Sequence, residues 1–297
     1  MHIPVLLHET VQLLAPKKGG VVLDGTAGGG GHAAALCDAV GAGGTVVALD
    51  EDARAVSRTK KKLKHAPCTS FIIAENFRNL DTVFKRLKLR HADAVVFDLG
   101  LSSYQLREGD GRGFSFQADE PLIMTFRTSP RRDAFNAGEI VNTWDEENIA
   151  AIIEGYGQDR FARRIARAIC RAREEGPIRT THELAAIVAG SIPRRFQRKG
   201  IHPATQTFQA LRIAVNDEIG ALKEGLEKAF ALLSSHGRIA VISFHSIEDR
   251  VVKLFFREKE AEGLACRITK KPEVPSALEI RKNPRARSAK LRVLEKL

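Results

Sequence analysis

Through the first hundred residues, short apolar runs alternate with longer amphipathic stretches. Val21-Val22-Leu23 predicts a buried strand ending at Asp24, and the alanine-rich residues 31–40 predict a helix. Thr45-Val46-Val47-Ala48-Leu49 predicts a second strand ending at Asp50. A helix over 52–64 follows, with Arg54, Arg58, Lys60, Lys61, Lys62 and Lys64 outward. Phe71-Ile72-Ile73-Ala74 predicts a third strand and residues 79–89 a third helix. Ala94-Val95-Val96-Phe97 predicts a fourth strand, ending at Asp98. Short apolar runs separated by helices indicate parallel strands joined by right-handed crossovers.

The rhythm then breaks. Residues 107–120 are rich in glycine, acids and aromatics and predict a loop. Residues 145–154, 158–175 and 181–190 predict helices, with Asp145 and Thr180 or Thr181 as N-caps and Glu183 in the first turn of the last. A long helical stretch runs from about 205 to 234, and Gly237-Arg238-Ile239-Ala240-Val241-Ile242-Ser243 predicts another strand. Residues 272–288 predict an extended loop. The expected architecture is a doubly wound, Rossmann-like α/β domain in two pieces, 1–110 and 206–297, interrupted by a helical domain at 111–205.

The chain has 297 residues, 43% hydrophobic and 28% charged, which is ordinary globular composition. No apolar run approaches the roughly 20 residues that cross a bilayer. The N-terminal stretch has no Lys/Arg-bearing leader pattern and is interrupted by His8 and Glu9, so no signal peptide is expected. Cys37, Cys68, Cys170 and Cys266 lie far apart with no C-x-x-C pair. They predict free thiols in a reducing cytoplasm, with neither a disulfide framework nor a zinc site.

The net charge of +11 is concentrated. Residues 158–200 hold eleven Lys/Arg against four Asp/Glu, and residues 267–297 hold ten against three. Each segment is therefore +7 and the remaining chain −3. A single basic run is usually a solvated face; two arginine-rich runs point to a phosphate-bearing partner.

Between the first strand and its helix lies Asp24-Gly25-Thr26-Ala27-Gly28-Gly29-Gly30-Gly31-His32. So many glycines let a backbone approach a ligand closely, and the helix start contributes free N–H groups. Gly28-x-Gly30-x-x-Ala33, with Asp50 about twenty residues on to accept ribose hydroxyls, suits NAD and S-adenosylmethionine alike. A nicotinamide-dependent oxidoreductase is therefore one reading. A P-loop is excluded, because no Gly-Lys-Ser/Thr follows. Glu75-Asn76-Phe77 after the third strand, where Phe77 meets an adenine, and Asp98-Leu99-Gly100-Leu101-Ser102-Ser103 after the fourth favour S-adenosylmethionine.

The chain resembles the small-subunit ribosomal RNA methyltransferase H family. The matching motifs begin with His8-Glu9, the Asp24–His32 loop, and Asp98-Leu99-Gly100-x-Ser102-Ser103-x-Gln105-Leu106. Arg112-Gly113-Phe114-Ser115-Phe116 and His202-Pro203-Ala204-Thr205-x-Thr207-Phe208-Gln209-Ala210 follow. Ser243-Phe244-His245-Ser246-x-Glu248-Asp249-Arg250 and Asn283-Pro284-Arg285-Ala286-Arg287-Ser288 complete the set. The resemblance implies methylation of the exocyclic N4 of a cytidine in the decoding region of 16S-type rRNA. It also implies S-adenosylmethionine held by Gly30, Gly31, His32, Asp50, Phe77, Asp98 and Gln105, and a helical substrate-recognition insert. The partner implied is the rRNA or a 30S-type particle, with no membrane; the oligomeric state, a homodimer included, stays open. One motif departs: where the family usually reads Pro-Leu-Asp-Met-Arg-Met, this chain has Pro121-Leu122-Ile123-Met124-Thr125-Phe126. That departure motivates a third reading, a non-catalytic RNA-binding assembly protein.

Methyl transfer needs alignment of nucleophile, methyl and sulfur. Cytosine N4 is a poor nucleophile, so an acceptor on its N–H bonds helps localise the lone pair. Asp98 is the first candidate for that, or for gripping the methionine end of the cofactor. Ser102 and Ser103 either orient the base or cap a helix, and His245 either lines the active-site wall or is structural. A His8/His32/His245 metal site has no ligand spacing to recommend it, and no nucleophile elbow supports hydrolysis. Arg163, Arg164 and Arg167, on one helix face, and Arg285 and Arg287 are the phosphate candidates. Tyr104, Phe114, Phe116 and Trp144 are candidate stacking surfaces.

Overall fold

The strand residues bury both faces, and the sheet they build divides the apolar side chains by parity. A computed structural model describes residues 3–102, 104–106, 111–127, 135–197 and 200–297. The chain divides into two compact units, residues 1–102 with 219–297 and residues 103–218. The helical unit therefore starts before 111 and ends after 205, the bounds expected from sequence.

In the first unit, parallel strands β1 (Val21–Asp24), β2 (Thr45–Asp50), β3 (Thr69–Ala74), β4 (Ala92–Asp98) and β5 (Leu233–Ser243) join antiparallel β7 (Lys290–Lys296) and β6 (Ala265–Arg267). The order is β3-β2-β1-β4-β5-β7-β6. Leu23, Val47, Leu49, Val95, Phe97, Ile239 and Val241 pack on one face against α4 (Leu80–Arg86), α10 (Glu218–Leu232) and α11 (Ser246–Ala261). Val22, Val46, Ala48, Ala94, Val96, Ala240 and Ile242 pack on the other, against α1 (Leu7–Leu14) and α2 (Gly31–Val40). Helix α3 (Ala53–Lys62) links β2 to β3.

Three sequence expectations change, and one stretch for which no element was predicted gains one. The N-terminal stretch forms α1. The helix expected over 205–234 breaks at Asp217, whose φ of 47° is left-handed, giving α9 (Thr205–Asn216) and α10. Residues 272–288, expected to be extended, contain α12 (Ala277–Lys282), capped by Ser276, and a 3-10 turn over Pro284–Ser288. Cys37 and Cys68, expected as free thiols, form a disulfide with Cα atoms 5.3 Å apart, while Cys170 and Cys266 are unbridged. Thirty-one residues separate the bridged pair in sequence, but the crossovers place both against the same core face.

The second unit consists of α5 (Ala137–Thr143), α6 (Glu146–Gly157), α7 (Ala162–Glu175), α8 (Thr181–Ser191) and α9 around Ile140, Ile149, Ile153, Ile165, Ile169, Leu184 and Leu211. Asp145 caps α6, and Thr180 with Glu183 forms a capping box on α8. The segment that departs from the family motif is held by its backbone. Met124 N donates to Arg112 O (2.6 Å), and the Asn216 amide both donates to Met124 O (2.7 Å) and accepts from Phe126 N (2.8 Å). Arg112 donates to Phe126 O at 2.8 Å.

Strand β7 escaped notice because charged residues interrupt it. Arg292 turns inward instead, bonding Asp249 of α11 at 2.7 Å, with Lys290 also on Asp249 at 3.2 Å. Burial raises the Asp249 pKa, but these two cations outweigh it and hold the carboxyl below its ordinary value. Removing one partner of a buried pair strands the other charge. Asp249→Asn should therefore lower unfolding free energy by about 3 kcal/mol in urea titration; an unchanged midpoint would show that the pair contributes nothing net.

Candidate active site

Because β1, β2, β4 and β5 run parallel, their carboxyl ends share one edge of the sheet. The strand order reverses between β1 and β4, the point where open α/β sheets bind ligands. Asp24, Asp50 and Asp98 close three neighbouring strands there, followed respectively by the glycine loop, Glu51-Asp52, and Leu99-Gly100.

The loop is pinned to the strands on both sides. Asp50 accepts the Gly28 N–H (2.8 Å) through one carboxylate oxygen and the Asp52 N–H (2.8 Å) through the other. Each oxygen retains a lone pair. Thr26 Oγ1 accepts the Asp98 N–H at 2.6 Å, and Asp24 accepts the Thr26 N–H at 3.1 Å. Gly28 and Gly30 hold φ of 52° and 73°, in the left-handed region that favours glycine. Gly31 admits Pro4: a Cβ there would lie 2.1 Å from Pro4 Cγ.

His32, on the first turn of α2, is buried. Its Nε2 lies 3.2 Å from Val5 O, and its Nδ1 lies 3.6 Å from Asp98 Oδ2. Donation from Nε2 to the carbonyl leaves Nδ1 of the neutral ring as an acceptor facing the carboxyl. The other oxygen, Asp98 Oδ1, is buried without a hydrogen-bond partner among the described residues, as is Asp24 Oδ2.

Burial is the largest influence on all three aspartates. It raises Asp24 from 3.8 to about 7, opposed by the Thr26 and Ala33 N–H groups and assisted by the charge of Asp50. It raises Asp50 to about 6 against the N–H groups of Asp52 and Gly28. Asp98 is pushed well above the carboxylate range by burial and then by Asp24 and Glu248. The edge is thus built to receive positive charge.

Phe77 packs half-buried against Phe97, with ring centroids 5.0 Å apart, and against Gly225, where a Cβ would come within 2.5 Å of the ring. Ser102 is half-buried after Gly100, whose φ is 88°. Ser103 lies outside the described residues. His245 caps α11: Nδ1 accepts the Glu248 N–H (3.4 Å), and Nε2 lies 3.2 Å from Glu248 Oε1. Gln105 is buried and belongs to the helical unit.

Arg163 and Arg164 are exposed on α7, whereas Arg167 also pairs with Glu146 at 3.3 Å. Arg285 and Arg287 are exposed on the turn after α12. The candidate stacking rings mostly have internal partners: Phe114 stacks on Phe126, Phe116 meets His202 and Phe208, and Trp144 meets Phe135. Sequence reasoning missed Thr26 and Val5. Thr26 stood inside the glycine motif and so was detectable; nothing local marked Val5. Among the described residues, no group of three His, Cys, Asp or Glu is placed to hold a metal ion.

The raised aspartates have a sign that can be tested. An unfolded aspartate ionises from 3.8, whereas folded Asp24 keeps its proton to about 7. The native state therefore binds more protons across this window, and the contribution to stability is lost as pH rises through it. Asp24→Asn should flatten the fall in Tm between those pH values and raise Tm in mild alkali; an Asn variant with an unchanged pH profile would remove Asp24 as the cause.

The whole chain, residues 1–297, matches the MraW methylase family. A ribosomal RNA small subunit methyltransferase H of Heliobacterium modesticaldum is 44% identical over 100% of this chain and 98% of its own length. Its namesake in Symbiobacterium thermophilum is also 44% identical, over 100% of this chain and 96% of its own. A solved structure from Clostridium thermocellum shares the fold, with a TM-score of 0.50 and 15% identity over the full length of both chains. Motif order, strand order and full-length identity agree: the chain belongs to the MraW methylase family.

Proposed function

We propose that this protein transfers a methyl group from S-adenosylmethionine to the exocyclic N4 of a cytidine in the decoding region of small-subunit rRNA. The observation that carries the reading is the acidic sheet edge, where Asp98 Oδ1 and Asp24 Oδ2 are without a hydrogen-bond partner among the described residues, beside a glycine loop shaped for close approach. Full-length relatives named ribosomal RNA small subunit methyltransferase H support small-subunit rRNA as the substrate class. The family match also accounts for the glycine spacing on which the nicotinamide reading rested.

The residues fit the cofactor's chemistry. Gly28 and Gly30 shape the left-handed turns of the loop and Gly31 lets Pro4 pack against it; Asp50 keeps lone pairs for ribose hydroxyls, and Phe77 and His32 complete the holding set, to which the family resemblance adds Gln105. When bound, the cofactor supplies a positively charged sulfonium and an activated methyl. Beside that charge, Asp24 and Asp98, whose pKa values burial raises furthest, are drawn to their ionised forms. Ionised Asp98 accepts an amino N–H of the base, which turns the nitrogen lone pair towards the methyl. The Thr26 hydroxyl, accepting the Asp98 N–H, holds Asp98 in position. Ser102 and Ser103 orient the base, and His245 fixes the start of α11 behind it. Arg163, Arg164, Arg167, Arg285 and Arg287 take RNA phosphates.

Three measurements test this. Cofactor binding should release protons near neutral pH, and S-adenosylmethionine more than uncharged-sulfur S-adenosylhomocysteine. Titration calorimetry in buffers of different ionisation enthalpy reads the difference, and equal release by both would refute the electrostatic fit. Asp98→Asn should lower methyl incorporation into small-subunit RNA about 100-fold. Full activity of that variant would remove Asp98 from the chemistry, and no incorporation by the unaltered chain would favour the assembly-protein reading. Reversing Arg163 and Arg164 to Glu should weaken RNA binding and flatten its salt dependence by about one logarithmic unit per lost phosphate contact. Cofactor affinity should be untouched; an equal fall in both would make the helix structural.

A further inference from the structure

The helical unit carries an exposed aromatic cluster that none of the motifs includes. Phe196, in a 3-10 turn after α8, is 39% exposed. Its ring centroid lies 5.5 Å from that of Phe161, the residue preceding α7. The Arg160 guanidinium sits 4.8 Å from the Phe161 centroid and 4.6 Å from the Phe196 centroid. Arg195 sits 4.8 Å from that of Phe196. Two rings and two guanidinium planes thus form one surface layer.

Its charge is adverse to the fold. Arg160, Arg163 and Arg164 crowd the N-terminus of α7, the positive end of the helix dipole, and the first turn contains no acid. Asp159, just before, is buried and accepts the Phe161 N–H. Among the described residues, none of Arg160, Arg163, Arg164, Arg194 or Arg195 pairs with a carboxylate. A guanidinium lying over a ring keeps its in-plane N–H donors for an incoming acceptor.

We propose that Phe161, Phe196, Arg160 and Arg195 form a stacking platform for an unpaired RNA base, with Arg163 and Arg164 on the adjoining phosphates. The inference rests on the rRNA-methyltransferase reading and names which form of RNA the helical unit grips. A π-face beside phosphates is what single-stranded RNA presents. A duplex stacks its bases inward and offers only phosphates and groove edges. An exposed phenylalanine alone would equally suit an apolar protein; the cations crowding these rings favour a polyanion.

The test uses the full chain and fluorescence anisotropy with a labelled unstructured RNA and a blunt RNA duplex. Phe196→Leu keeps an apolar side chain and removes the π-face. It should weaken binding of the single strand about tenfold, the scale of one lost base stack, while leaving the duplex within about twofold. Phe196→Trp, in a Trp144→Phe background, should restore single-strand affinity, and the unstructured RNA should quench the indole emission of that double variant. Wild-type affinity of Phe196→Leu for the single strand, equal losses on both RNAs, or indole emission unquenched by the single strand would each overturn the platform. Binding is read without turnover. Failure of methyl transfer by the unaltered chain therefore counts against the proposed reaction, and loss of strand discrimination reports on the platform.

Discussion

Burying three carboxylates at the ends of three neighbouring strands is the constraint around which the first unit is built. Each of Asp24, Asp50 and Asp98 loses solvation, and each raises the cost of charging another or is raised by one. The site offsets part of that cost with backbone N–H groups. Gly28 and Asp52 donate to Asp50, and Thr26 donates to Asp24. The same bonds draw the glycine loop against the strands, so ligand cradle and charge compensation are one set of contacts. What stays uncompensated, Asp98 Oδ1 and Asp24 Oδ2, is electrostatic capacity available to a cation.

Asp98 is supported from distant parts of the chain. His32 faces it and is itself held by Val5 O. The segment around Val5 is in turn held from the C-terminal region. Glu279 accepts the Leu6 N–H at 2.8 Å, and Asn283 donates to Ile3 O at 3.3 Å. Pro4 occupies the space a side chain at Gly31 would fill. The segment carrying Arg285 and Arg287 thus follows directly on residues that hold the cover of the cofactor loop. Basic and acidic parts of this unit are joined by short hydrogen bonds, although sequence numbering puts them at opposite ends.

From sequence, the departure at Ile123 and Thr125 motivated a non-catalytic reading. In the fold, the segment depends on Met124, buried with φ of 54°, and on the backbone groups that Arg112 and Asn216 satisfy. Neutral residues on either side of such an anchor need not disorder it. The arginine count also separates by position. In the C-terminal segment, Arg292 turns inward to Asp249 and Arg267 pairs with Glu260, whereas Arg285 and Arg287 remain exposed. Part of that basic excess belongs to stability and part to a surface.

The sequence by itself determined the five parallel strands and their crossovers, the cap at Asp145, the glycine loop and the aspartates that close β1, β2 and β4. Those signals are local: apolar runs, helix-start residues and a motif at fixed spacing. Only the tertiary structure decided what depends on contacts across long stretches of chain. It bridged Cys37 to Cys68, turned Arg292 inward, made His245 a cap, placed Val5 on His32 and Thr26 on Asp98, and brought Phe161 beside Phe196. The physical reason is that charge burial and ring stacking depend on distances in space. A chain that crosses between strands brings residues tens to hundreds of positions apart to within a hydrogen bond, and no local pattern records it.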